Sequence, residues 1–158
     1  MTEMDQQHEQ FFLEAGKEAE KALCLRDRCG AVVVAGGSII GRGFNAPPQN
    51  DVTLRKCGLD LKDSPKPKSD RTCCMHAEWR AIIDALQHAK NIAGSTLYFV
   101  RIDQKGMIKR SGEPYCTVCS RFALDTGITQ FGLWQEAGIR LYDTMEYNEL
   151  SYQFHLKK

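Results

Sequence analysis

The stretch CGAVVVAGGSIIGRGFN, Cys29–Asn45, decides how the chain is read. Residues 29–35 are apolar and rich in valine, and residues 38–44 form a second short run containing Ile39, Ile40 and Phe44. Gly36-Gly37 stands between them, and a two-residue glycine linker between such runs joins antiparallel strands into a hairpin. On its N-terminal side, Phe11, Phe12, Ala15, Ala19, Ala22 and Leu23 recur at three- and four-residue steps among Glu, Gln and Lys. That period predicts a helix over residues 4–25. On its C-terminal side, residues 45–72 carry Pro47, Pro48, Pro65 and Pro67, which break any regular element and predict a long irregular loop. A loop of that length inside a compact domain tends to be functional or mobile.

Beyond the loop the signals alternate. Residues 75–90, MHAEWRAIIDALQHAK, carry an apolar stripe of Ala81, Ile82, Ala85, Leu86 and Ala89 and predict a helix. TLYFVRI, 96–102, predicts a strand, and 103–113 a turn or second hairpin around Gly106. A helix is expected from about Tyr115 to Thr126 with Gly127 as its C-cap, then strands at 128–134 and 139–143 and a last helix over 145–156. An opening hairpin followed by alternating helices and strands predicts an α/β class chain. Its expected architecture is a three-layer α/β/α sandwich around a central mixed sheet of about five strands. With 158 residues, no internal repeat and no linker, 1–158 reads as a single domain. Apolar residues make up 42% and charged residues 26%, a globular balance rather than a disordered one. The net charge of +1 offers no nucleic-acid footprint. No apolar run reaches the ~20 residues that span a bilayer, and MTEMDQQHEQ has no signal-peptide character. A cytoplasmic protein without nucleic-acid or membrane partners is expected.

Seven cysteines in such a chain read as metal ligands, reactive groups or buried thiols before disulfides. Two motifs stand at predicted helix starts: His76-Ala77-Glu78, and Cys116-Thr117-Val118-Cys119 two residues after Pro114. Cys116 and Cys119, at i and i+3, share a helix face and can grip one ion. His76 and Glu78, at i and i+2, converge only on something lying off the helix end. A helix N-terminus favours thiolate over thiol. One imidazole and two thiolates suit Zn²⁺ and leave a fourth position for water, whose pKa falls from about 15.7 towards ~7. A carboxylate beside the ion can then shuttle protons.

H-x-E followed by P-C-x-x-C is a known signature of zinc deaminases. Over roughly residues 9–143 the chain resembles the cytidine deaminase-like superfamily, most nearly its CMP/dCMP-type branch. The likeness rests on the Cys29–Asn45 hairpin ending in G-x-G-x-N, Arg71-Thr72 ahead of His76-Ala77-Glu78, Cys116-x-x-Cys119, and Gly127-Ile128. It implies that His76, Cys116 and Cys119 bind zinc and that Glu78 shuttles protons. It implies further that Asn45 bonds the substrate sugar or base and that the Ala77 backbone N–H holds a ring carbonyl. The implied reaction is hydrolytic deamination of a nucleobase ring, cytosine in a free nucleotide or nucleoside. The sequence departs from the family pattern where Tyr115 separates Pro114 from Cys116, in the longer stretch Tyr98–Tyr115, and at Arg80, where asparagine is usual.

Other readings stay open at this point. The ring could be guanine, adenine in RNA, or a pterin-like heterocycle. The chain could be a non-catalytic zinc-stabilised binding module, with Cys73 or Cys74 as a fourth ligand. Arg71 and Lys68 are candidate phosphate contacts. Trp79, Tyr115 and Trp134 are candidate stacking platforms or packing residues. Cys57, Cys73 and Cys74 with His88 are weighed as a second metal site against loop thiols, whereas Cys24 and Cys29 read as core residues, and His8 and His155 as solvated. Relatives of this type form dimers or larger assemblies, so a homo-oligomer is expected.

Overall fold

The computed structural model of the chain describes residues 2–59, 61–67, 71–89 and 91–156. The opening hairpin is present: β1 (Arg28–Ala35) and β2 (Ser38–Phe44) pair antiparallel across Gly36 and Gly37, both at positive φ. Ahead of it lies α1 (Glu3–Ala19), and after the long loop comes α2 (Ala77–His88). Then follow β3 (Thr96–Ile102), β4 (Ile108–Lys109), α3 (Thr117–Asp125), β5 (Gln130–Gln135), β6 (Gly138–Asp143) and α4 (Thr144–Leu156). The sheet runs β2-β1-β3-β5-β6, with β4 paired to β3 off that path. Strands β3 and β5 pair parallel and the other named strand pairs are antiparallel, so the sheet is mixed, as expected.

The three layers follow from the period-2 alternation of strand side chains. Val32 and Val34 of β1 and Tyr98 and Val100 of β3 pack against Phe11, Phe12 and Ala15 of α1. Ala31, Val33 and Leu97 face the other way, into a second core with Ala81, Ile82 and Ala85 of α2, Ala123 of α3 and Tyr147 of α4. Fully burying each large apolar side chain contributes about 1.5–3 kcal/mol. The helix layers press close because glycines face them. A Cβ at Gly30 would run into the Ala15 carbonyl of α1, and Cβ atoms at Gly41 and Gly43 into the backbone of α2 at Ala81 and Ala77.

Two of the helices have a boundary displaced from expectation for a visible reason. The first helix ends at Ala19, not at residue 25. Lys21 and Ala22 bond back three residues to Glu18 and Ala19, and the Leu23 N–H turns away to Asn45 O. The helix expected from Tyr115 begins at Thr117, because Cys116 takes the extended N-cap position. The 103–113 segment forms the second of the two expected alternatives, a hairpin: β4 returns along β3 after a turn with Gly106 at φ 84°.

The long loop is tied at its mouth by an antiparallel bridge. Met75 N–H donates to Ala46 O at 2.8 Å and Ala46 N–H to Met75 O at 3.4 Å. Among its described residues are two single turns of 3-10 helix, at Pro48–Asn50 and Val52–Leu54, and no described residue from 48 to 76 is buried. Among the described residues no helix is long and apolar enough to cross a membrane.

Candidate active site

His76 is the N-cap of α2 and Cys116 the N-cap of α3, so two helix N-termini point at one place. The glycine-mediated contact of β2 with α2 holds the first of these ends, and the docking of Cys119 and Ala123 into the core holds the second. His76 Nδ1 lies 3.3 Å from Cys119 Sγ and 3.7 Å from Cys116 Sγ. The Cys119 backbone N–H donates to Cys116 Sγ at 3.4 Å. Among the described residues these three form the one group whose donor atoms all lie within 4.8 Å of one another.

Their electrostatics suit a cation. Hydrogen bonding from Cys119, with help from His76, holds the Cys116 thiol down at about 4, so it is a thiolate at neutral pH. Burial pushes the Cys119 thiol well up. One imidazole nitrogen, one ready thiolate and a second thiol at this spacing fit Zn²⁺, with a fourth tetrahedral position left over. Cys73 and Cys74 do not join this group. The fourth-ligand arrangement that a purely structural zinc would need from them is therefore not formed.

Glu78, the second residue of α2, is buried, and its carboxyl reaches Cys119 without belonging to the three-residue group. Burial raises its pKa against the pull of His76. Ala77 is the first residue of α2, where a backbone N–H has no acceptor within the helix. Asn45 is buried, and its amide is engaged inside the protein. Oδ1 accepts the Cys29 N–H at 2.8 Å and Nδ2 donates to Asp27 O at 2.7 Å. Arg71 donates from a terminal guanidinium nitrogen to Leu61 O at 2.9 Å in the loop. Lys68 lies outside the described residues.

The aromatic candidates all have packing partners. Trp79 stacks on His76 with ring centroids 4.0 Å apart and planes 4° from parallel, which fixes the imidazole's orientation. Tyr115 accepts from Arg101 at 3.0 Å and meets Phe154, and Trp134 lies between Phe12 and the Arg110 guanidinium. His8 is bonded to the Tyr98 hydroxyl at 2.7 Å, and the exposed His155 to Tyr115 O at 2.8 Å. Arg101 was missed by sequence reading. It sits beside Cys29, whose thiol is buried next to Glu78 and pushed up to about 12, mainly by that burial. The available signal was a lone charge inside the apolar run TLYFVRI.

Relatives agree with this architecture. The crystal structure of cytidine deaminase from Burkholderia pseudomallei matches with a TM-score of 0.59 and 19% identity, over 93% of this chain and 96% of that one. The apo dCMP deaminase of cyanophage S-TIM5 matches with a TM-score of 0.55 and 21% identity, over 83% of this chain and 82% of that one. Its complex with dCMP and dUMP gives 0.54 and 22%, over 83% and 81%. At such identities these likenesses establish the fold. Deoxycytidylate deaminase of Schizosaccharomyces pombe is 26% identical over 127 residues, which is 78% of this chain but 34% of that protein. The chain thus spans about a third of the length of this curated relative. The profile described as the cytidine and deoxycytidylate deaminase zinc-binding region matches residues 5–133. With that span including the hairpin and both helix N-termini, the chain belongs to the cytidine and deoxycytidylate deaminase family.

Proposed function

We propose that the protein hydrolytically deaminates the cytosine ring of a free nucleotide, CMP or dCMP, with Zn²⁺ held by His76, Cys116 and Cys119. The observation that carries this reading is the convergence of His76 Nδ1 with the two sulfurs, with the buried Glu78 carboxyl beside them. Zn²⁺ at such a site supplies hydroxide at neutral pH by lowering the pKa of water towards ~7. In the reaction a C–O bond forms at the ring carbon, the exocyclic C–N bond breaks, and the nitrogen leaves as ammonia. Glu78 takes the proton lost by water and delivers protons to the ring nitrogen and the departing amine. Burial raises its proton affinity, which brings it nearer the operating pH, as a shuttle requires. The Ala77 N–H at the positive end of α2 holds the ring carbonyl. Asn45 contacts the sugar or base, and Arg71 gives its remaining donors to the phosphate.

Ammonia release from cytidine, deoxycytidine, their monophosphates, guanine and adenosine compounds tests the reading. Monophosphates should turn over faster than the matching nucleosides, with a preference that weakens with salt. Equal turnover of the two would remove the phosphate contact. No ammonia from any cytosine compound, in protein shown to contain zinc, would overturn the choice of ring.

A further inference from the structure

Strands β3 and β5 pair in parallel from Thr96 and Gln130 as far as Phe99 and Leu133, and there the pairing ends. Beyond this fork β3 pairs with β4, Arg101 opposite Lys109, and Ser111 bridges to Gln135 of β5. Open α/β sheets take their ligands outside the carboxyl ends of parallel strands. A recess of about 50 Å³ lies at this fork, with Phe99 and Leu133 as its apolar lining. One water needs only ~10–15 Å³, so the recess has room for a larger group. Arg101, Lys109 and Arg110 bring cations to it, and Glu113 is the acid among its lining residues. No described residue of the loop between β2 and α2 lines it.

Arg101 is held in place from several sides. Nη2 donates to the Tyr115 hydroxyl at 3.0 Å, the guanidinium reaches the Cys29 thiol, and Nε stands 3.8 Å from an Asp27 carboxylate oxygen. Yet Nε is buried with no hydrogen-bond partner, an expensive state for a charged donor. Arg110 rests over the Trp134 ring, 4.0 Å from its centroid, a contact that engages its face and leaves its N–H edge. The recess adjoins the proposed zinc centre. Tyr115, which lines it, directly precedes Cys116, and Tyr115, Tyr147 and Cys29 all feel the Glu78 charge.

We infer that this recess seats the phosphate of the substrate nucleotide, with Arg101 as the residue that sets the preference for phosphorylated substrates. The inference rests on the deaminase reading above and deepens it. A phosphate monoester carries a charge of about −1.5 to −2 and three strong acceptor oxygens. Arg71 alone cannot neutralise it, and it already gives one nitrogen to Leu61 O in a segment with no buried described residue. Arg101 stands in β3, where its place is set before any ligand arrives. A guanidinium matches phosphate through paired N–H groups. A nucleoside without phosphate leaves the buried Nε–H unpaired, so the site discriminates through the missing partner as well as the gained one.

Inorganic phosphate titrated into the zinc-loaded chain should change the tryptophan emission saturably, because an anion that draws Arg110 away removes a cation from the Trp134 face. Trp134→Phe should abolish that response. Arg101→Gln should weaken phosphate binding about 10–100-fold, the range of a hydrogen bond to a charged group. In turnover, Arg101→Gln should lower kcat/KM for the monophosphate about 10–100-fold more than for the matching nucleoside, with Arg101→Lys in between. Arg110→Gln, on the exposed hairpin, should shift the preference in the same direction and guards against a misfolded Arg101 variant. A preference unchanged in both variants would overturn the seat. A phosphate response that survives Trp134→Phe would place the anion at Trp79 and the zinc centre, and would overturn it too. Arg101-dependent phosphate binding with an unchanged preference would mean a separate anion, not the substrate's, and would equally overturn the assignment. Arg101-dependent phosphate binding in a chain that releases no ammonia from any cytosine compound would sink the cytosine reading and leave the seat standing.

Discussion

Replacing Glu78 by Gln keeps the side chain's shape and removes its ability to carry a proton. Glu78 lies outside the three-residue donor group, so the variant should fold and keep its zinc while losing about 10²–10⁴-fold in kcat. Loss of zinc along with turnover would make Glu78 a ligand and displace the mechanism. Asn45 poses a different question, because its amide already holds Cys29 and Asp27. Asn45→Ala should lower stability in urea by about 1–3 kcal/mol, the cost of leaving buried groups unpaired. If Asn45 also contacts substrate, KM rises as well, and an unchanged KM would leave it a purely structural residue. At this scale motif spacing led to His76, Cys116 and Cys119, whose donor atoms the structure brings together, and to Glu78, buried in the first turn of α2. It was silent on Arg101 and on the Trp79–His76 stack, because both depend on which side chain happens to lie across the gap.

Helix α2 carries His76 and Glu78, and its seat is the glycine edge of β2. Gly43→Ala would drive a methyl group into the Ala77 carbonyl and the Ala81 N–H, and the helix must move. Overpacking of this kind costs about 1–3 kcal/mol. The variant should therefore melt lower than wild type and bind zinc less tightly, because one ligand moves with the helix. Gly58→Ala, where a Cβ meets nothing within 4 Å, is the control and should stay within ±0.5 kcal/mol. A Gly43 variant as stable as the control would mean that α2 is not seated there. The hairpin, α2 and β3 were legible because each is written in a local period. The early end of α1 was not. Ala22 and Leu23 keep a helical spacing, yet the chain needs them to turn towards Asn45.

For the whole molecule, the layer order was legible from alternation of element types. The approach of Cys24 to Cys74 was not, because it depends on how a loop without a core is laid back over the α1–β1 connection. The bridge between Ala46 and Met75 has a consequence for engineering and for divergence. A hydrogen-bonded antiparallel pair holds its two Cα atoms about 5.5 Å apart, so the excursion between them leaves and re-enters the body through one doorway. It is a cassette. Substituting residues 47–74 by a short Asn-Gly turn should leave the circular-dichroism spectrum and a single cooperative unfolding transition intact, with turnover abolished or redirected. Collapse of the trimmed chain into a non-cooperative state would show that the cassette bears structural weight. Where the chimera folds, cassettes of other lengths and charges can be exchanged at the same doorway, and substrate choice becomes a property that can be grafted without redesigning the sheet.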